Sequence, residues 1–326
     1  MIPQESMLVV LVKLIDRIPT PPGEAAKRGR PVRYPEKLFL KALVIMIVKH
    51  LHKVHELLSV LNEPTFEMQQ LHSLLTENGR YPARRTWERR LKGLPASLPT
   101  QIGCFGRYLV ELITPWATCG RAVALDSTIL RSNGGVWHKK DREKGEVPHS
   151  SIDTEAHWTK SGWHGWVYGW KLHIACAVAA VWIPLSTQLT SANVADNEVA
   201  PALICELPSQ AHFILGDLHY NAPNVFEVCA QTDRLLVTTR YGPYPHTDPG
   251  VEVRRIFHKL RSLAIENFNE HFKGIFDGHG QVPTKGLLNT QRFALGAIFV
   301  YQLALLYRFQ HGLDLNIGLK AFIKAL

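Results

Sequence analysis

The sequence predicts an α/β fold preceded by an all-helical N-terminal region, and three stretches carry that prediction. Residues 121–130, RAVALDSTIL, alternate as a strand does, with Ala122, Ala124, Asp126 and Thr128 on one face and Val123 and Leu125 on the other. Residues 213–215 form the continuous apolar run of a strand buried on both faces, and Gly216-Asp217 follows, which sets a carboxylate at the strand's carboxyl end. In RIFHKLRSLAIENFNEHFK, residues 255–273, the apolar positions Ile256, Leu260, Ala264, Phe268 and Phe272, continued by Ile275, recur at helical spacing.

Composition narrows the function classes. Across 326 residues, 46% are hydrophobic and 20% charged, a globular balance that excludes a disordered chain. The formal net charge of +9 makes an acidic partner the expectation, nucleic acid first. Cys104, Cys119, Cys176, Cys205 and Cys229 lie far apart with no C-x-x-C, so neither a disulfide framework nor a thiolate zinc site is indicated. A reducing cytoplasm fits. Residues 7–18 are interrupted by Lys13, Asp16 and Arg17, unlike a signal peptide. Residues 293–307 are strongly apolar but short of a span and contain Gln302, so they read as a buried core helix, and no membrane is expected.

The expected division is a helical region over 1–118 for DNA binding and oligomerisation, then a catalytic domain over 119–326. Residues 1–18 read as a short amphipathic helix ended by IPTPP. KRGRP, residues 27–31, reads first as a basic flexible linker, and it also resembles an AT-hook core, in which Arg28 and Arg30 lie along a narrow minor groove. Residues 35–61 form one long pattern too broadly apolar for a surface helix, hence a core or subunit-contact helix. Its His50, His52 and His55 have no accompanying Cys or carboxylate cluster and are not read as metal ligands. After a helix over 65–75 comes RYPARRTWERRLKGLP, where Trp87 and Leu91 anchor one side and the arginines face outward. This is either a recognition helix whose Arg84, Arg85, Arg89 and Arg90 contact DNA, or a solvated basic helix.

In the second region, Asp126 sits inside an apolar strand, which is expensive without compensation, so it is either hydrogen-bonded at a turn or holding a cation. Residues 132–170 carry Trp137, Trp158, Trp163, Trp166 and Trp170 among His, Lys and Gly, and read as a loop or small insertion. Its aromatic and cationic side chains either stack on unpaired bases and neutralise phosphates or pack on the core. Strands follow over 171–181 and 184–190, then a helix with Asp196 or Asn197 as its cap, and capping is assigned to Asp196 in preference to catalysis. A last strand over 234–242, a Gly/Pro-rich loop and a final helix over 284–309 complete the chain. On residues 255–273, Glu266 shares a polar face with Lys259, Ser262, Glu270 and Lys273, which is either an ordinary solvated face or a phosphate-and-metal site.

Taken together, ALDST at Asp126, YGWKLH at Lys171 to His173, ILGDLHY at Asp217, and the pair Glu266 and Lys273 resemble the ribonuclease H-like core of bacterial insertion-sequence transposases of the Asp-Asp-Glu type. The resemblance covers most of residues 121–310. It implies a ribonuclease H-like mixed sheet flanked by helices, with Asp126, Asp217 and Glu266 as catalytic residues and metal ligands. Two Mg²⁺ ions, replaceable by Mn²⁺, would serve water attack at a transposon end and then attack of the freed 3′-OH on target DNA. Lys273 would hold a phosphate near the transposon end or else form a helix-face ion pair, and Lys171 and His173 would either reach DNA or point at solvent. The partners implied are terminal inverted repeats, target DNA and a second copy of the chain as a dimer on DNA, in the bacterial cytoplasm or nucleoid. The family often has an arginine four residues before the glutamate; here Ser262 stands there, with Arg261 one position early. Glu270 therefore stays open as the third carboxylate, although Asp277 occupies the position seven residues beyond it. A nuclease without strand transfer and an inactive transposase-derived DNA-binding protein are the competing readings.

Overall fold

The computed structural model describes residues 5–21, 33–116, 121–162, 165–178, 181–238, 251–276 and 281–326. Arg28 and Arg30 lie outside the described residues, as does Trp163. Six helices come first: α1 (Met7–Leu14), α2 (Glu36–Val48), α3 (Val54–Leu61), α4 (Phe66–Leu74), α5 (Arg84–Gly93) and α6 (Leu98–Ile113). Then follow β1 (Ala122–Arg131), α7 (Lys139–Lys144), β2 (His157–Ser161), β3 (Gly165–Ala177) and β4 (Ile183–Ser191). Next are α8 (Asp196–Cys205), β5 (Phe213–Gly216), α9 (Pro223–Gln231) and β6 (Leu235–Thr238). Helices α10 (Val251–Arg261), α11 (Asn267–Ile275), α12 (Leu287–Gln310) and α13 (Leu319–Lys324) end the chain. Two compact units result, one of Met1–Phe105 with Gln291–Leu326 and one of Gly106–Thr290. Nothing in the sequence signals that the last 36 residues group with the N-terminal helices.

In the first unit, α2 is buried almost continuously from Leu38 to Ile47, as its broad apolar pattern requires. The pattern does not continue as one helix to residue 61. At His50 the backbone turns left-handed, with φ 53°, and Leu51 N–H reaches back to the Met46 carbonyl at 2.7 Å. Glu56 then starts α3 by accepting the His52 and Lys53 backbone N–H groups at 2.8 and 3.0 Å, satisfying donors that a new helix leaves unpaired. Apolar periodicity passes through such a corner unchanged, so it is invisible to pattern. In α4, Thr65 Oγ1 caps the start by accepting from Met68 N–H.

Helix α5 is held by the two residues expected. Trp87 and Leu91 are fully buried, and the Trp87 ring meets Phe39 edge-on at 5.2 Å between centroids. Arg90 lies over the Phe39 ring at 4.7 Å, Arg84 pairs with Glu88 at 2.8 Å, and Arg85 and Arg89 project outward. Helix α12 is long and apolar enough to cross a membrane by length and composition, but 83% of its most apolar window is buried inside the protein. Its Gln302, the one side-chain amide within residues 293–307, donates to the Ile102 carbonyl at 3.0 Å.

The second unit is built on a mixed six-stranded sheet in the order β2-β3-β1-β5-β6, with β4 also pairing β3. β1 runs antiparallel to β3, with Asp126 opposite Ile174, and parallel to β5; β5 and β6 are parallel. β3 is long enough to pair β2 along residues 165–169 and β4 along 170–177. Helices α8, α9, α10 and α11 flank the sheet, which gives the ribonuclease H-like α/β architecture expected. Residues 132–170 are more ordered than a loop: they contain α7, β2 and the first six residues of β3. Helix α9, absent from the expected elements, is the connection that makes β5 and β6 parallel.

Trp87→Ala should lower unfolding stability by roughly 3–5 kcal/mol, because its indole fills a closed site between α5 and α2. The check is the urea midpoint, and a loss below about 1 kcal/mol would contradict the packing described.

Candidate functional site

The site forms where β1 and β5 lie side by side and the α10–α11 segment crosses them. Parallel pairing of Ala122–Ala124 with Phe213–Leu215 brings Asp126, two residues on, alongside Asp217. Ligands of open α/β sheets collect at such carboxyl ends. Asp217 takes an extended backbone just beyond β5, and its side chain accepts from His219 N–H at 2.8 Å. Gly216 is required before it: a Cβ there would stand 2.7 Å from the Cβ of Tyr220, a fully buried residue.

Asp126 is the electrostatic centre. Desolvation pushes its carboxyl up to about 7; the Arg261 guanidinium opposes that rise, and the Asp217 and Asp196 carboxylates add to it. Asn269, on α11, donates to Asp126 Oδ2 at 2.9 Å. Lys273 is half-buried one turn further along; burial lowers its pKa, Asp126 raises it and Arg131 lowers it. Tyr220 feels the same three aspartates and Arg261, and burial drives its hydroxyl well above the usual range.

Between α10 and α11 the backbone makes a π turn over Ser262–Glu266. On an α-helix, residues five apart lie roughly 140° apart around the axis. In the π turn they meet, and Arg261 Nη2 stands 3.2 Å from Glu266 Oε1. The arginine that sits one position early in the sequence thereby reaches the glutamate from i−5 in place of i−4. The turn also interrupts the apolar stripe. Ile256 and Leu260, expected inside, are 53% and 36% exposed, while Arg261 is 7% exposed and Ile265, Phe268 and Phe272 are buried.

Lys171 and His173 occupy a different environment from the DNA-facing one expected. They are 9% and 1% exposed and converge on Asp196 Oδ1 at 3.2 and 3.3 Å. Lys171 also donates to the Val194 carbonyl at 2.8 Å, and His173 Nε2 lies 2.9 Å from Thr190 Oγ1. Alternation places both residues on the face of β3 covered by α8, which removes them from solvent. Nor does Asp196 cap α8, since Ala195 is the N-cap. Although burial works to raise it, hydrogen bonds from His173 and Ser127 and the charge of Lys171 bring the Asp196 carboxyl down to about 2. Asp196 ties β1, β3 and α8 together beneath Asp126.

Among the described residues, no three His, Cys, Asp or Glu side chains come together closely enough to hold a metal ion. Two of the three expected donors nonetheless fit one. Asp126 and Asp217 are hard oxygen ligands whose mutual repulsion a cation would relieve. Glu266 is held outward, its side chain 57% exposed and engaged by Arg261. Glu270 is exposed as well. Arg261, Asn269 and the bracing role of Asp196 were missed from the sequence. Only the displaced arginine carried a signal.

A transposase DDE-domain family model matches residues 117–303, which includes every residue of the site. No curated protein and no solved structure matches the chain.

Asp126 and Asp196 give opposite pH signatures. The Asp126 contribution is present below its ordinary value of 3.8 and is lost as pH rises through about 7; the Asp196 contribution is present above 3.8 and is lost as pH falls through about 2. In chelator-containing buffer, Asp126→Asn should therefore flatten the decline of the urea midpoint between about pH 4 and pH 7. An unchanged slope would show that Asp126 is solvated.

Proposed function

The chain belongs to the transposase DDE-domain family, and we propose that it cuts the ends of a mobile DNA element and joins them to target DNA. The family implies DNA binding, polynucleotidyl-transferase or endonuclease activity and, in general, the use of divalent metal ions. The observation that carries the finer reading is the approach of Asp126 and Asp217 at the ends of β1 and β5, with Arg261 acting on Asp126 by its charge and on Glu266 by a hydrogen bond.

In the first step a water oxygen bonds to the phosphorus at the element's end and the 3′-oxygen leaves as a free hydroxyl. In the second, the oxygen of that hydroxyl bonds to a phosphorus of the target strand, the target's own P–O3′ bond breaks, and the proton lost by the attacking hydroxyl ends on the departing 3′-oxygen. Asp126 and Asp217 would hold the divalent cations, Mg²⁺ with Mn²⁺ as a substitute, and Glu266 would join them by turning inward from its exposed contact with Arg261; when bound, the cations supply activation of the attacking oxygen and charge for the leaving one. Asn269 fixes the Asp126 carboxyl by its hydrogen bond to Oδ2. Lys273, on the Asp126 side of α11, donates to a phosphate oxygen of the strand being cut. Arg261 positions Glu266. Arg85 and Arg89, exposed on α5, grip the DNA backbone, with Arg84 and Arg90 beside them. Two copies of the chain on DNA, in a bacterial cytoplasm, complete the proposal.

Asp126→Asn, Asp217→Asn and Glu266→Gln should each lower metal-dependent cleavage of element-end DNA by at least about a thousandfold, with binding retained. Gel assays of cleavage, joining and mobility shift on one substrate measure all three quantities. Full cleavage by Asp126→Asn would overturn the assignment. Normal cleavage by Glu266→Gln with loss in Glu270→Gln would move the third ligand, and cleavage without joined product would reduce the activity to that of a nuclease.

A further inference from the structure

The hairpin of β2 and β3 carries a second feature that the catalytic reading does not use. Its register sets Trp158 opposite Tyr168 and Lys160 opposite Trp166, so all four side chains share one face. Helix α7 and the chain before it close over that face. The result is a cleft of about 740 Å³ lined by Trp137, Lys139, Arg142, Glu143, Trp158 and Trp166.

The walls are held in place. Trp137 Nε1 donates to the Glu146 carbonyl at 2.7 Å, Arg142 Nη2 lies 2.7 Å from His157 Nε2, and the Trp158 ring meets Tyr168 edge-on at 5.4 Å. Tyr168 is buried and donates its hydroxyl to the Asp153 carbonyl at 2.6 Å. Asp153 and Glu155 accept from the Gly286 and Leu287 backbone N–H groups at 2.9 and 3.0 Å, which pins the far end of the insertion. Against this ordered frame Trp166 is 68% exposed, a large apolar area to leave in water.

The charge pattern selects the occupant. α7 reads KKDREK, four cations and two anions, and Lys160 projects from the same hairpin face as Trp166. Indole walls rimmed by ammonium and guanidinium groups match a planar ring carrying a phosphate. A paired base keeps its faces stacked on its neighbours; only one that has left the duplex can enter between indoles. We propose that this cleft binds an unpaired nucleobase of the DNA the protein handles, stacked on Trp166 with its phosphate against Lys139 and Arg142. This rests on the DNA-joining function proposed above.

The test uses the full chain and two labelled probes, a duplex with a short single-stranded tail carrying 2-aminopurine and the same duplex blunt-ended. One stacked base should make the tailed probe bind about 5- to 150-fold more tightly than the blunt one, with loss of 2-aminopurine fluorescence. Trp166→Ala should erase that preference and leave blunt-duplex affinity unchanged, and Trp166→Phe should restore it. Because Trp166 is exposed, neither change should disturb folding. Equal binding of the two probes by the unaltered chain, or a preference that survives Trp166→Ala, overturns the cleft while leaving the function standing. Failure to bind either probe overturns both. A Trp166→Ala variant that changes oligomeric state without changing probe preference would mark the cleft as a contact between copies and overturn it as a base site.

Discussion

The structure of the second unit depends on one constraint: a carboxyl group on the central strand of a sheet that is otherwise apolar. β1 has β3 on one side and β5 on the other, so Asp126 cannot escape to an edge, and its ionised form is costly there. Its neighbours are arranged around that cost. Arg261 supplies opposing charge, Asn269 supplies a hydrogen bond, and the second carboxylate, Asp217, makes the problem worse in the way a cation site does. A third, Asp196, has the Lys171 charge and the His173 ring beside it. The distinction between the two buried acids is thus one of partners. Asp196, beside Lys171, His173 and Ser127, sits at about 2, whereas Asp126, burdened by burial and by the Asp217 carboxylate, sits at about 7.

The π turn is how the helical layer meets this constraint. A regular helix could bury one stripe on the sheet but would carry residues 261 and 266 to different faces. With the wider turn, Arg261 is inside, its guanidinium within electrostatic reach of Asp126 and bonded to Glu266 at once. The backbone regularity given up at Ser262–Glu266 is recovered on either side by Phe213 against Phe257, at 5.2 Å, and by Phe268 against Phe272, at 5.9 Å. Such turns concentrate at functional sites because they re-aim a side chain without ending the helix.

The basic residues divide by what surrounds them. Those with buried acids nearby, Lys171 and Arg261, are structural counter-charges. Those on α5 and α7 stand at the surface, where a polyanion can reach them. Net charge did not separate the two groups. Burial does, and it shows that the tryptophan-rich insertion contains a braced hairpin in which, among the described residues, the Trp166 indole is left open.

Sequence alone determined the elements that carry the three acidic residues. Alternation over 121–130, the apolar run before Asp217 and the helical period over 255–275 are local signals, and each element they predicted is present. It also set the order of the acidic residues along elements of the right type, which is why the family was legible. Tertiary structure decided the rest. Whether Lys171 and His173 meet DNA or an aspartate depends on α8 lying over their face of β3, and no local pattern encodes a packing partner. Whether residues 35–61 form one helix or two depends on a left-handed residue, His50, that apolar spacing cannot reveal. The role of Arg261 depended on a turn of different pitch: the sequence showed an arginine out of place by one residue, and only the three-dimensional backbone supplied the extra residue of arc that returns it to Glu266.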